Sequence, residues 1–504
     1  MAKKKKSAKL PRVRVRMYRQ GLGDCFLLTF DEGGDERHML IDCGTLGATT
    51  TGVKLAEVVA DIRATTNDHL DVLVATHEHL DHVSGFRSQR DEFSEITVKE
   101  VWLAWTENPA DTLAKKIVKA KNDLGAALTE AARALTSPHA SPAAKKDGEA
   151  VASLLGFFDP DALGASKFAP TVDEAMDFVR TGTDAKTRYF NPGDGPVEEE
   201  WLPGFRIFVL GPPRSEAAIY HLGEHGSSEL YSLANALHGA AVLFASGKRP
   251  SDTFNADGEA KTAFAASLPF DVRFRHEATA ADTKRMFRNT YFAADADWRR
   301  VDEDWLRVAA DLALQLDSAT NNTSLVLAIE RVADGKVLLF PADAQEGNWV
   351  SWHDAAIKWN VTGGAGAGTV TAADLLERTV FYKVGHHSSH NATAKGSGLE
   401  RMTTGSELTA FIPVDRAVAL KRNPRGSWKM PAVPLYRRLL EQCNGRVVRS
   451  DIGWAADAAG ADNKQVEKAF VDIGTKTEWK KWTAAQTAAK HVTVGDLFVD
   501  YLLE

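Results

Sequence analysis

The stretch VATHEHLDHVSGF, residues 74–86, carries the most information about the fold. It begins within the apolar run DVLVAT (71–76), which is typical of a buried strand. Three histidines, a glutamate and an aspartate then fall within positions 77–82. The strand is therefore expected to deliver a group of metal-ligating side chains to the edge of a sheet, where a helix is predicted to begin.

The spacing within this stretch predicts which side chains share an ion. Residues two apart in an extended segment point the same way, so His77 and His79 are expected to face one metal. Asp81 and His82 follow at the turn and are placed to bind a second metal. Imidazole and carboxylate ligands suit zinc, manganese or iron, and this stretch contains none of the cysteines that usually close structural zinc sites. A lone histidine is usually a core or surface residue, but four potential ligands in six positions favour a metal centre.

Composition limits the classes of protein to consider. A chain of 504 residues is longer than one core usually supports, which predicts insertions or a second domain. The net charge of −7 gives no overall basic surface for nucleic acid. Three widely spaced cysteines offer no disulfide framework, and no apolar run has transmembrane length. No apolar stretch follows the N-terminal lysines as it would in a secretory signal, so we expect a cytoplasmic protein without a membrane partner.

The order of elements predicts one large α/β domain with insertions. Strand-like runs occupy the first hundred residues and resume after about residue 320, whereas an Ala/Lys/Glu-rich helical pattern lies between them. The predicted parts are a basic flexible N-terminus (1–11), a domain (12–455) with a helical insertion (about 107–200) and a further mixed insertion (about 255–318), and a C-terminal extension (456–504).

Several motifs resemble, in the same order along the chain, those of the metallo-β-lactamase-fold hydrolases. THEHLDH (76–82) matches the HxHxDH signature of that superfamily. Five further segments are similar to one branch, the metallo-β-lactamase domain of DNA-uptake competence proteins and its soluble relatives. They are GLGDCFLL (21–28), MLIDCG (39–44), NNTSLVLAIE (321–330), GKVLLFPADA (335–344) and YKVGHHSSH (382–390). The resemblance covers residues 12–90 and 320–451 and implies an αβ/βα sandwich, two mixed sheets packed face to face with helices outside and metals at one edge.

The resemblance also implies two divalent ions, zinc or alternatively manganese, and a ligand set. His77 and His79 would bind the first ion, Asp81 and His82 the second, Asp343 would bridge both, and His386 would complete the second site. Without the resemblance, the position of Asp343 after an apolar strand and before a helical pattern is more typical of a helix N-cap than of a metal ligand. The adjacent histidines face opposite ways on an extended chain, so we favour His386 as the ligand and His387 as a catalytic substrate-side or supporting group.

Supporting or substrate-side roles are expected for Asp24, Asp42, Asn321, Asn322, Lys383 and His390. Asp42 either orients a metal-bound imidazole or is a turn residue. Lys383 either binds an anionic substrate or packs its aliphatic chain against the protein while its ammonium is solvated.

Two departures from the family pattern matter, besides Ser388, which replaces the usual glycine. Asn321 and Asn322 stand where many members supply another histidine, so the first metal site is expected to be loose, to prefer manganese or to fill only with substrate. Ala342 replaces a glycine and fits if its backbone angle is ordinary.

The implied chemistry is hydrolysis by a metal-activated water, with Asp81 both ligating and orienting the nucleophile. We favour a phosphodiesterase or nuclease whose substrate is a phosphodiester such as nucleic acid. One alternative is a hydrolase of small esters, lactones or thioesters, with the helical insertion as a lid. The other is a catalytically weak regulatory member that binds a protein partner through that insertion or the C-terminal extension.

Two basic segments bear on the substrate. ALKRNPRGSWKM (419–430) contains Lys421, Arg422, Arg425, Trp428 and Lys429 and reads either as a nucleic-acid groove or as a solvated loop. The lysine block of MAKKKKSAKLPRVRVR (1–16) reads either as a frayed terminus or as an arm that contacts phosphates.

Overall fold

A computed structural model describes most of the chain. The described residues are 10–136, 142–164, 168–202, 204–220, 284–290, 293, 308–422, 428–455 and 473–504. The lysine block, Arg425 and most of the mixed insertion predicted at 255–318 lie outside them. The chain divides into two units, one comprising Met1–Ile117, Thr171–Gly223 and Ser318–Glu504, the other Val118–Pro170 and Glu224–Asp317.

The first unit contains the described strands. In chain order they are β1 (Arg12–Tyr18), β2 (Cys25–Glu32), β3 (Asp35–Cys43), β4 (His69–Val74), β5 (Thr97–Ala104), β6 (Lys186–Phe190), β7 (Phe205–Gly211), β8 (Val326–Arg331), β9 (Val337–Phe340), β10 (Lys358–Val361), β11 (Gly368–Thr371), β12 (Thr379–Lys383), β13 (Thr409–Ile412), β14 (Val447–Arg449), β15 (Gly453–Trp454), β16 (Val492–Val494) and β17 (Phe498–Leu503).

These strands form two large mixed sheets and one small one. The first sheet has eight strands in the order β16-β17-β1-β2-β3-β4-β5-β6, and the second has seven in the order β15-β14-β13-β12-β9-β8-β7. Strands β10 and β11 pair separately. Strand β3 runs parallel to β4, and β9 runs parallel to β12. The carboxyl ends of each parallel pair therefore lie at a common sheet edge.

The described helices connect these strands or follow them. They are α1 (Leu55–Thr66), α2 (Leu80–Ser88), α3 (Arg90–Ser94), α4 (Thr112–Leu135), α5 (Pro142–Leu155), α6 (Pro170–Thr181), α7 (Glu216–Ile219), α8 (Arg285–Thr290), α9 (Val308–Asn321), α10 (Glu346–Ser351), α11 (Ala372–Glu377), α12 (Arg416–Lys421), α13 (Val433–Gln442) and α14 (Lys476–Ala488).

One apolar core joins the inner faces of the two large sheets. The alternation in RVRVRMY places Val13, Val15 and Met17 in this core, together with Leu327 and Ile329 of β8. The outer face of the first sheet is covered by α1, whose Asp61 accepts a hydrogen bond from Arg16 of β1 at 2.7 Å. Two packed mixed sheets with helices outside are the predicted αβ/βα sandwich.

Two described strands of the first sheet lie in parts of the chain that we predicted to be outside the core of the domain. Strand β6 lies inside the predicted insertion of 107–200 but pairs in parallel with β5, so the sheet resumes before that insertion was expected to end. Strand β17 pairs antiparallel with β1, and alternate residues Val499, Tyr501 and Leu503 enter the core. The described part of the predicted extension thus belongs to the first sheet, and the period-two burial of FVDYLL (Phe498–Leu503) is typical of such a strand.

The second unit has helical packing of its own. Helix α5 and residues 118–135 of α4 belong to it. A Cβ on Gly125 would lie 2.4 Å from the ring of Phe168, so the helix passes this ring at a point where only glycine fits. Arg133 donates to the carbonyl oxygen of Leu163 at 2.7 Å. The helical pattern predicted for this part of the chain is therefore present.

Helices long and apolar enough to span a bilayer are absent from the described part of the chain.

Candidate metal centre

Four buried side chains converge where strands of both sheets end. Potential ligand atoms of Asp81, His82, Asp343 and His387 all lie within 4.8 Å of one another. Asp81 and His82 open helix α2 after β4, in the first sheet. Asp343 follows β9 and His387 follows β12, which are parallel neighbours in the second sheet. Segments about 300 residues apart in sequence therefore meet in one cluster.

Close backbone packing holds the ligand loop in place. The amide of Asp24 donates to the carbonyl oxygen of Asp81 at 2.8 Å, and the amide of Gly44 donates to the carbonyl oxygen of Asp24 at 2.9 Å. A Cβ on Gly44 would lie 2.3 Å from the carbonyl carbon of Asp81. Glycine is therefore required in IDCG for β3 to approach the start of α2 this closely.

Asp42 orients His82. Its carboxylate accepts from the Thr76 amide at 2.8 Å, from the Thr76 hydroxyl at 2.7 Å and from His82 Nδ1 at 2.7 Å. Because Nδ1 carries the donated proton, Nε2 is the His82 atom that faces the cluster, 3.2 Å from Asp343 Oδ2. A carboxylate behind a ligating imidazole is the usual arrangement around protein-bound metals.

His387 belongs to the cluster, contrary to the preference we gave to His386. Its Nδ1 donates to the carbonyl oxygen of Pro413 at 2.5 Å, which leaves Nε2 facing Asp81 Oδ2 at 2.8 Å. His386 instead contributes its backbone amide, which donates to Asp343 Oδ1 at 2.8 Å. The extended conformation assumed in our prediction does not occur here, because His386 and His387 have φ of 42° and 52°.

His77 and His79 form a second pair of candidate ligands. Thr76 gives its hydroxyl proton to Asp42, so it can only accept from His77 Nδ1, 3.2 Å away. His77 Nε2 thus lies unprotonated 3.2 Å from His79 Nδ1. Two nitrogens bound tetrahedrally to one zinc would be about 3.3 Å apart, given Zn–N bonds of about 2.05 Å.

The protonation states of these histidines divide into two groups. Burial lowers the pKa of His77 well below its usual value and lowers that of His79 to about 3, so both imidazoles are neutral. Burial also opposes protonation of His82 and His387, but nearby carboxylates outweigh it and raise the pKa of both. The strongest of these carboxylates is Asp343 for His82 and Asp81 for His387. Neutral imidazole is the form that binds a metal.

Lys383 neutralises part of the acidic cluster. The side chain is buried, and its ammonium donates to the carbonyl oxygen of Ala342 at 2.8 Å, to Asp343 Oδ1 at 3.2 Å and to Asp24. Burial raises the pKa of Asp24 to about 6 although Lys383 opposes the rise. The ammonium is thus neither solvated nor directed at a substrate, in contrast to both alternatives predicted for Lys383.

Asn322 and His390 lie outside the ligand cluster. Asn322 Oδ1 accepts from the amides of Gln345 and Asn348 at 3.2 and 3.1 Å, and its Nδ2 donates to Ile219 at 3.0 Å. The amide predicted as a weak ligand therefore anchors the start of α10, while Asn321 is buried at the end of α9. His390 is exposed at the surface.

Unusual backbone conformations concentrate on the loops that bear ligands. Ala342 has φ of 50° and Ser388 has φ of 62°, both in the left-handed region that favours glycine. The condition under which Ala342 was predicted to fit, an ordinary backbone angle, is therefore not met. Such strain is typical of functional sites that the surrounding fold holds in place.

The donor set fits a divalent cation. Among the buried atoms of the described residues that lack a hydrogen-bond partner, four belong to this cluster and the carboxylate beside it, namely Asp24 Oδ1, Asp81 Oδ1, His82 Nε2 and Asp343 Oδ2. Each would be costly to bury unsatisfied. The carboxylates Asp24, Asp42, Asp81 and Asp343 are all buried in this region. Oxygen and imidazole donors around surplus negative charge are what zinc, manganese or iron require, and an ion held by Asp81, His82, Asp343 and His387 would satisfy three of these four atoms.

Two partners of the ligands were missed by sequence reasoning. Thr76 stands inside the quoted motif and offered a signal, because a hydroxyl beside the first histidine can fix its tautomer. Pro413 lies 26 residues beyond His387 and acts through its backbone carbonyl, for which no side-chain pattern exists.

Comparison with known proteins supports the superfamily but not the branch. Residues 18–138 match the model of the metallo-beta-lactamase superfamily. No curated protein matches the chain, and the finer resemblance to competence proteins stays a prediction. The match and the buried His/Asp cluster together indicate a metal-dependent hydrolase. Residues 18–138, which carry Asp81 and His82 of the ligand cluster, are thus similar to the metallo-beta-lactamase superfamily, and the two-sheet sandwich agrees with that similarity.

Proposed function

We propose that the protein hydrolyses phosphodiester bonds with a water activated by two divalent ions, and that zinc is the metal at both positions. The observation that carries the proposal is the convergence of Asp81, His82, Asp343 and His387 within 4.8 Å, with unsatisfied atoms on three of them. These four residues would hold one ion. His77 and His79 would hold the other, since their nitrogens face each other at 3.2 Å.

The ions would supply Lewis acidity and lower the pKa of water towards neutrality. The chain's own residues then set the orientation of the reacting groups. Asp42 keeps the proton of His82 on Nδ1, and Pro413 keeps that of His387 on Nδ1. Asp81 is buried in the cluster, and the carboxylate oxygen that does not hold the ion would orient the attacking water.

Two arguments support a phosphodiester as the substrate. Adjacent metal ions stabilise both the attacking and the leaving oxygen of an in-line displacement at phosphorus. The segments GLGDCFLL and YKVGHHSSH are similar to the branch of the superfamily associated with DNA uptake. We also propose a cytoplasmic location on the evidence of the three cysteines, which are all buried free thiols.

The test is a substrate panel on the metal-loaded protein. It comprises bis-p-nitrophenyl phosphate, single- and double-stranded DNA, RNA, a carboxylic ester and a lactone. We expect phosphodiester turnover that His387→Gln abolishes. His390→Gln is the matched control, since His390 is an exposed histidine three residues away.

Each other outcome has a defined meaning. Preferential turnover of the ester or lactone would replace the phosphodiester proposal by the small-molecule alternative. A folded, metal-loaded protein that turns over none of the substrates would favour the regulatory alternative. Activity that persists in His387→Gln would place the chemistry elsewhere.

A further inference from the structure

The segment of residues 322–325, between α9 and β8, contacts ligand-bearing loops of both large sheets. Ser324 Oγ accepts from the amide of Asp343 at 3.2 Å. The amide of Leu325 donates to the carbonyl oxygen of Thr76 at 2.9 Å. Thr76 immediately precedes the ligand motif after β4 in the first sheet, whereas Asp343 follows β9 in the second. One short segment therefore joins the two halves of the candidate metal centre.

Two asparagines fasten this segment to helix α10. Asn322 Oδ1 accepts from the amides of Gln345 and Asn348 at 3.2 and 3.1 Å. In return, Asn348 Nδ2 donates to the carbonyl oxygens of Asn322 and Ser324 at 3.0 and 3.1 Å. Asn348 Oδ1 accepts from the indole of Trp352 at 2.8 Å. Asn322, Ser324 and Asn348 are fully buried, and buried polar networks whose members have their partners are rigid.

The same contacts define what Asn322 can do at the site. A side-chain amide oxygen has two lone pairs, and backbone amides occupy both of them here. No lone pair is left to bind a metal ion, so the contribution of Asn322 to the site is to hold the loop that carries Asp343.

Asp343 is fixed at its backbone and at its side chain. Ser324 accepts from its amide, while the amide of His386 and the ammonium of Lys383 donate to Oδ1 at 2.8 and 3.2 Å. The other carboxylate oxygen, Oδ2, lies 3.2 Å from His82 Nε2. The fold therefore selects one oxygen of Asp343 to face the ligand cluster.

We infer that Ser324 and Asn322 are positioning residues that fix where Asp343 presents its carboxylate to the metal ions. The inference rests on the metal centre of the proposed function and assigns a role to residues that bind no ion themselves. Ala342, directly before Asp343, has φ of 50°, and such a conformation persists only where the surroundings hold it. Metal ligands must be held to within about 0.5 Å of their working positions, and the segment 322–325 supplies that support.

The first test measures zinc affinity by competition with a chelator. Ser324→Ala removes the acceptor of the Asp343 amide and little else. Thr66→Val is the matched control, because it removes another buried hydroxyl, which donates to the carbonyl oxygen of Ile62 at 2.8 Å within α1. We expect Ser324→Ala to weaken zinc binding about tenfold, as for other groups behind metal ligands, and Thr66→Val to change it less than twofold. Ser324→Thr keeps the hydroxyl and should recover part of the loss.

The second test separates positioning from a general loss of stability. Each protein is saturated with cobalt(II), whose d–d absorption reports the arrangement of ligands around the ion. At equal cobalt content we expect an altered spectrum for Ser324→Ala and for Asn322→Ala, and the wild-type spectrum for Thr66→Val. If Asn322→Ala does not fold, the comparison of Ser324→Ala with Thr66→Val decides.

This inference and the proposed function fail in distinguishable ways. Wild-type zinc affinity and an unchanged cobalt spectrum in Ser324→Ala, or equal effects in Thr66→Val, would overturn the positioning role. Absence of phosphodiester turnover would overturn the proposed function alone, because neither test uses turnover. Wild-type protein that is folded and binds neither zinc nor cobalt would overturn both.

Discussion

The substitution Asp42→Asn tests how the fold prepares His82 for a metal. In the wild-type protein the carboxylate can only accept, so His82 Nδ1, 2.7 Å away, must carry the proton. An asparagine retains an acceptor for the Thr76 amide at 2.8 Å and turns its NH₂ group towards His82. That NH₂ group favours the opposite tautomer, in which Nδ1 accepts and Nε2 is protonated and unable to ligate.

The magnitude follows from the role of such partners. Loss of a carboxylate behind a ligating histidine typically weakens metal binding by about 10- to 100-fold. At 1.4 kcal/mol per factor of ten, this corresponds to about 1.4–2.8 kcal/mol. The assay is competition for zinc against a chelator of known affinity, with the protonation of His82 followed by nitrogen NMR.

The matched control is Asp71→Asn. Asp71 is another buried aspartate of the same sheet, and it accepts from the His38 amide at 3.0 Å and from Lys99 at 2.7 Å, away from the cluster. We expect its substitution to leave zinc affinity within twofold of wild type. Wild-type zinc affinity in Asp42→Asn, or an equal loss in Asp71→Asn, would refute the tautomer argument.

Three further predictions concern stability and pH. Lys383→Met leaves the buried carboxylates of Asp24 and Asp343 without their positive partner. In urea unfolding with a chelator present, we expect the free energy of unfolding to fall by about 3–5 kcal/mol, and to recover in part when zinc is added. Ser388→Gly removes a side chain at φ of 62° and should raise the free energy of unfolding by about 1 kcal/mol. Raised pKa values at His82 and His387 mean that each gives up a proton when it ligates, so zinc affinity should fall as pH falls, by up to about 100-fold per pH unit while both are protonated. Titrations between pH 6 and 8 in buffers of different ionisation enthalpy measure that proton release.

The outcomes that contradict these predictions are specific. Undiminished stability of Lys383→Met in chelator would mean that the acids are not charged. Destabilisation by Ser388→Gly would show that the side chain contributes more than its conformation costs. A pH-independent zinc affinity would mean that His82 and His387 bind the ion without releasing protons.

The parts of the fold that sequence predicted best are those with local patterns. Alternation in RVRVRMY identified β1 and its core face, and the dense HxHxDH run identified the edge where ligands gather. The same reasoning could have found β17, whose alternate residues Val499, Tyr501 and Leu503 are buried. The family order of motifs, not spacing, placed Asp343 in the cluster.

The choice between His386 and His387 could not be made from sequence. Side-chain direction after β12 depends on three successive left-handed residues, and non-glycine residues rarely adopt that conformation. The roles of Lys383 and Asn322 depend on partners supplied by distant segments, Asp24 for one and Gln345 for the other. Such contacts follow from the packing of the sheets and have no local signature.

The most direct measurement is anomalous diffraction from crystals grown with zinc, recorded on both sides of the zinc absorption edge. We predict an anomalous peak among Asp81, His82, Asp343 and His387, with Nε2 of both histidines as ligands, and a neighbouring peak at His77 and His79. A crystal of the folded protein without a peak at this position, or with zinc bound by His386 in place of His387, would contradict the account.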